Sequence, residues 1–197
     1  MSNQAPRIEL HVDLDRRLGR LAHGLLDPKQ FAKAAKNAVS RALKFGKTKT
    51  VREIAARYTL PQKEIRKLVW TRMRLTTGYL TSSSLGPPLD KFQHKPRRRY
   101  SELKRKPRVG VQVRILKGGA FNAIAGTFME QGSRGNLHLR RRDVYPGGQR
   151  GDIQVRMGPS MGGAFHVLAN KIKPEVMRHL NRRMMHNIRH ELKRYRR

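Results

Sequence analysis

The chain of 197 residues sets 45 Lys and Arg against 13 Asp and Glu, for a formal charge of +32 and a pI near 11.7; this self-repelling balance lies far outside that of ordinary soluble enzymes and predicts a polyanionic or acidic neighbour. Cys is absent, which excludes disulfides, thiolate nucleophiles and Cys-containing zinc sites and agrees with a reducing compartment. The 37% of hydrophobic residues cluster with periodicity, but no run of about 18 apolar residues and no basic-then-apolar leader in Met1 to Leu10 is seen, so a folded chain made in the cytosol, neither membrane-inserted nor exported, is expected.

The length fits one domain over 1–197. Arg7 to Asp13 alternates polar and apolar residues and predicts a short strand. Leu14, Leu18, Leu21 and Leu25 share one helical face and predict a helix after it. Asp27-Pro28 is a strong start signal, with Asp as N-cap and Pro at the first helical position, where its missing N–H costs nothing. The helix it opens carries a heptad-like stripe of Phe31, Ala35, Ala38, Ala42 and Phe45, continues in shifted phase through Val51, Ile54, Ala55 and Tyr58, and reads as one long helix. Pro61 opens another helix, with Ile65, Leu68 and Val69 inward and Trp70 near its end.

From 76 to 107 the composition turns to Thr81-Ser82-Ser83-Ser84, Gly86-Pro87-Pro88 and Lys95-Pro96-Arg97-Arg98-Arg99, which predicts an extended basic arm or loop. Alternation returns in Arg108 to Ile115, Leu137 to Arg140 and Ile153 to Met157; with Phe121 to Met129 these predict a small antiparallel meander of about four strands. After Pro174, Val176, Leu180, Met184, Ile188 and Leu192 recur four apart on a helix whose charge is almost entirely positive. The fold class is therefore α+β: a short N-terminal strand, long helices, a small antiparallel sheet and a basic C-terminal helix.

Several constellations bear on chemistry. Thr50 to Val69 has the apolar spacing of a helix-turn-helix, with Gln62, Lys63, Arg66 and Lys67 placed to face a major groove, but any helical hairpin with an apolar seam gives the same pattern. The clusters Arg97-Arg98-Arg99, Lys104-Arg105-Lys106 and Arg140-Arg141-Arg142 are candidates for contact with DNA or an acidic partner, acting by charge and counterion release rather than by reading bases. Lys117-Gly118-Gly119, Gly147-Gly148 and the glycines from 158 to 163 lack any Walker or Rossmann spacing, so hairpin turns are the better reading than a phosphate cradle. His179, His186 and His190 lie on one helix among arginines that repel a dication, and no metal site is expected. The acids are dispersed and no Gly-x-Ser-x-Gly is present, so no catalytic residue, cofactor or enzymatic activity is expected.

Three stretches carry a resemblance that covers most of the chain: the Ala-rich helix Phe31 to Tyr58 running into Leu60-Pro61-Gln62-Lys63-Glu64-Ile65-Arg66-Lys67, the Gly119-Ala120-Phe121-Asn122-Ala123 strand followed by Leu137-His138-Leu139-Arg140-Arg141, and Tyr145-Pro146 before Ile153 to Met161 and the final basic helix. In this order they resemble the phage minor tail protein Z family, the tail completion proteins of lambda-like tails. The chain departs from that pattern in the 76–107 arm and in the Gly147 to Gly151 insertion. The resemblance implies a virion component at the head-proximal end, or neck, of the tail, assembled in the host cytoplasm and needed for a tail that joins a filled head. Expected partners are the terminator, tube, connector and tape measure proteins, in a ring-shaped homo-oligomer, with non-specific contact to genome DNA added by the charge. Phe31, Trp70, Phe165, Leu180, Met184 and Ile188 are the expected assembly contacts. The rival reading is a cytosolic nucleic-acid-binding protein, either a helix-turn-helix regulator or a basic RNA binder.

Overall fold

A computed structural model of the chain describes residues 7–10, 27–74, 77–96, 98, 102–103, 110–132, 136–144 and 150–195. Its elements in chain order are β1 (Arg7–Leu10), α1 (Pro28–Arg57), α2 (Gln62–Leu68), β2 (Val69–Arg74), β3 (Thr77–Ser82), a short 3-10 turn (Leu89–Lys91), β4 (Gln93–Lys95), β5 (Val111–Arg114), β6 (Asn122–Ile124), β7 (Thr127–Gln131), β8 (Leu137–Val144), β9 (Arg150–Val155) and α3 (Met161–Tyr195). The fold class is α+β, as expected. The chain divides into two compact units, one of Met1–Arg52, Val69–Ser84 and Gly162–Arg197, the other of Glu53–Leu68 and Leu85–Met161. The expected helix over Leu14 to Leu25 lies outside the described residues.

In the first unit, α1 starts where the Asp27-Pro28 signal places it. The Asp27 side chain accepts the Lys29 N–H at 3.2 Å and its carbonyl accepts the Phe31 N–H at 3.0 Å, which satisfies donors that a helix start leaves open. The small residues Ala34, Ala35, Ala38 and Ala42 are all buried, with Val39, Leu43 and Gly46 continuing the stripe. The helix also packs against α3, and the two run antiparallel: Ala34 meets Asn187, Phe45 meets His179 and Lys49 meets Glu175. Gly46 sets the approach, since a Cβ there would lie 3.1 Å from a Val176 methyl. The sheet of this unit has the order β1-β3-β2, all antiparallel. Its central strand seats Gly78 on α1 so closely that a Cβ would stand 2.7 Å from Val39 and 2.9 Å from Leu43.

Two expectations are corrected here. Val69 and Trp70 do not continue α2; they open β2, where Val69 pairs with Ser82 and Trp70 with Thr81. The final helix does not begin after Pro174 but thirteen residues earlier, at Met161, and carries Pro174 inside it. The reason is phase: Met161, Ala164, Phe165 and Ile172 are buried and prolong the apolar face of Val176, Leu180, Met184 and Ile188 without a break. Burial of that face outweighs the missing N–H of one exposed proline.

In the second unit the expected single meander is two three-stranded antiparallel sheets, β4-β5-β6 and β7-β8-β9. Gly126 interrupts what would be a single strand from Phe121 to Met129, at a φ of 69° that suits the turn between β6 and β7. The turn after α1 pairs with the chain beyond β5: Tyr58 bridges Leu116, and the Thr59 N–H donates to the Ile115 carbonyl at 2.9 Å. The stretch 76–107, expected as an extended arm, contains β3, the 3-10 turn and β4 among its described residues. Gly78, Leu80 and Ser82 alternate inward on β3, a period-two signal hidden in a run rich in Thr, Ser and Gly.

Candidate nucleic-acid and assembly surfaces

The apolar face of α3 fixes what its opposite face shows. Lys171, Arg178, Arg182, Arg189 and Lys193 follow one another at intervals of seven, four, seven and four residues, all exposed. At 1.5 Å per residue they form a cationic stripe about 33 Å long, a length that spans many phosphates of a duplex. The helix carries only two acids: Glu175 pairs with Lys49 at 3.2 Å, and Glu191 lies 3.8 Å from His190.

The expected clusters fare differently. Arg97, Arg99, Lys104, Arg105 and Lys106 lie outside the described residues, and Arg98 is exposed. Arg140, Arg141 and Arg142 are consecutive on β8, so the alternation of a strand puts Arg140 and Arg142 on one face and Arg141 on the other. Arg140 is half-buried and donates to Glu130 at 3.0 Å, which spends part of its charge; Arg141 is the exposed member. The triplet is therefore not one three-armed anion site.

Of the expected assembly contacts, Phe165, Leu180, Met184 and Ile188 are core residues of the first unit, none more than 6% exposed, and within the chain they hold α3 in place. Phe31 is half-buried at the start of α1, and Trp70 is 37% exposed on β2. Every residue of β2 after Val69 is exposed, and Met73 reaches 37%. As the edge of its sheet, β2 thus combines Trp70 with Arg72 and Arg74, residue types that anchor protein interfaces.

Sequence reasoning missed a group on the sheet β4-β5-β6. Register places Gln93 opposite Arg114 and Lys95 opposite Gln112, so these four share one face, while Val111 and Val113 are buried on the other. Phe121, half-buried, holds Lys95 Nζ at 4.8 Å and Arg114 Cζ at 5.0 Å from its ring centre. Arg114 Nε also donates to Gln93 Oε1 at 2.9 Å, and its Nη2 donates to the same oxygen. The signal was present as a polar alternation around one aromatic, but nothing in the sequence says that residues 95, 114 and 121 meet. Beside this face the hairpin reading of Lys117-Gly118-Gly119 holds: the Gly119 N–H reaches the Leu116 carbonyl at 3.2 Å, and Gly118 has a φ of 95°. Gly162 and Gly163, expected in turns, are helical instead.

The histidines do not converge. His179 stacks on Phe45 with ring centres 4.5 Å apart and planes 2° apart, whereas His186 and His190 are exposed. Burial, then the charges of Arg183 and Arg182, hold the His179 pKa below the ordinary histidine value. Among the described residues no three His, Asp or Glu side chains gather as metal ligands. The helix pair tested for base reading has a second helix, α2, of only seven residues that runs straight into β2. Among the described residues no helix is long and apolar enough to cross a membrane.

Comparison with known proteins assigns the chain to a family. The family described as Prophage minor tail protein Z (GPZ) matches residues 24–197, which takes in every helix among the described residues and both sheets of the second unit. No curated protein and no solved structure matches the chain. The chain therefore belongs to the prophage minor tail protein Z family and is a structural protein of the phage tail.

Proposed function

We propose that this chain is a non-enzymatic tail completion protein that closes the head-proximal end of the tail as a ring-shaped homo-oligomer and lays a cationic face against the genome. The observation that carries the reading is the α3 stripe: five exposed cations in one line on a helix that carries only two acids. Pairing every acid of the chain with one cation would still leave a charge of +32. Such a surface binds DNA by releasing counterions and is indifferent to sequence, which suits a protein that meets whichever genome end is packaged. Ring symmetry multiplies the contact, because each copy adds the same stripe. Trp70, Arg72 and Arg74 on β2 serve docking to the terminator, tube, connector or tape measure proteins, with assembly completed in the host cytoplasm and the product retained in the neck of the virion.

The test is genetic and biochemical. Tails made without this chain should reach full length and fail to join filled heads, and adding the purified protein should restore joining. Infectious particles formed at normal yield without it would overturn the proposal.

A further inference from the structure

We infer that the outer face of the β4-β5-β6 sheet is a second, pre-organised phosphate site for DNA, in which Lys95 and Arg114 make the contacts and Phe121 positions both. The inference rests on the DNA-contact part of the proposed function and assigns to it a place on the second unit. Three observations carry it. First, among the described residues the partners of the two cations are an aromatic ring and the neutral amide of Gln93, neither of which neutralises a charge. A cation stacked on a ring keeps its charge and loses side-chain freedom, the state that binds an anion with the smallest ordering cost. Second, the paired positions of this face are Gln93, Lys95, Gln112, Arg114 and Ala123, and none is acidic. Third, Lys117 stands exposed at the tip of the adjoining turn, and its N–H donates to the carbonyl of Arg57, itself exposed, at 2.9 Å. Cations thus rim the sheet, while amides able to donate to phosphate oxygens lie between them. An acidic protein surface would meet the same charges, but cations and neutral amides spread over paired positions of one sheet face match a repeating row of phosphates better than a single carboxylate.

The full-length chain would be titrated with a mixed-sequence DNA duplex over a range of salt, alongside K95Q/R114Q and F121L. The wild type should show a steep salt slope, and K95Q/R114Q should flatten it by about 1.8, the share of two phosphate contacts. F121L should retain the slope and weaken binding by about two- to five-fold, the loss of positioning by the ring. Acylation of the unaltered protein, read by mass spectrometry, gives a result that does not depend on any variant folding: DNA should protect Lys95 and leave Lys67, which is paired with Glu64 on α2, reactive. A wild-type slope in K95Q/R114Q together with unprotected Lys95 would overturn this site and leave DNA contact by α3 standing. Absence of salt-dependent DNA binding by the wild type would overturn both. Normal DNA binding by K95Q/R114Q combined with its exclusion from tails would make the face a protein contact and also overturn the inference.

Discussion

Thr127 joins two sheets through one hydroxyl. Its Oγ1 accepts the N–H of Val111 on β5 at 3.0 Å and donates to the carbonyl of Ile124 on β6, in a position 3% exposed. Replacing it with Val keeps the shape and strands a buried N–H, so Thr127→Val should cost about 1–3 kcal/mol in urea unfolding, and Thr127→Ser clearly less. Gly78 is constrained by space: Gly78→Ala forces a methyl into Val39 and Leu43 and should lower stability by about 1–3 kcal/mol. His179 adds a pH dependence whose sign follows from its lowered pKa. The unfolded chain takes up the proton first, so the stability His179 contributes is present above the unfolded value of about 6.5 and is lost as pH falls from there towards the lower folded value. His179→Phe preserves the stack on Phe45, and the loss of stability between pH 7 and pH 5 should be smaller than in the wild type. None of these three was visible beforehand: a Thr, a Gly and a His acquire their roles only from neighbours distant in the sequence.

Among elements, those with a local start signal or a sustained period were legible. The Asp27-Pro28 start, the single long α1 and the apolar ridge of α3 follow directly from short-range chemistry. Elements whose identity depends on partners were not. Val69-Trp70 suits the phase of α2 and becomes strand only because β3 is there to pair with it, and Gly162-Gly163 with Pro174 read as breakers although burial of Phe165 and Ile172 carries α3 through them. The candidate site was half legible for the same reason. Total charge can be counted, but whether a cation is displayed, as Arg182 is, or spent, as Arg140 is on Glu130, is decided by the fold. The α3 stripe makes its own prediction. R178Q/R182Q/R189Q, changed only on the face opposite the core, should keep the melting temperature within a few degrees and make the DNA salt slope shallower by about 2.7; an unchanged slope would remove α3 from the DNA surface.

For the whole molecule, a charge of +32 on 197 residues is a problem that assembly solves. In isolation the chain repels itself, so salt or a polyanion should raise its melting temperature; on the proposed function, the genome and acidic neighbours would supply the counter-charge in a tail. Membership of the minor tail protein Z family fixes the tail as the setting, and the two cationic faces, one on α3 and one on β4-β5, suggest why a structural protein of the tail is so basic. The direct test is cryo-electron microscopy of tails purified from cells expressing the neighbouring tail genes together with this chain. The account predicts a closed ring of this protein at the head-proximal end with the α3 stripe facing DNA or an acidic subunit. Tails without the protein, with the chain recovered instead on cellular nucleic acid, would contradict it.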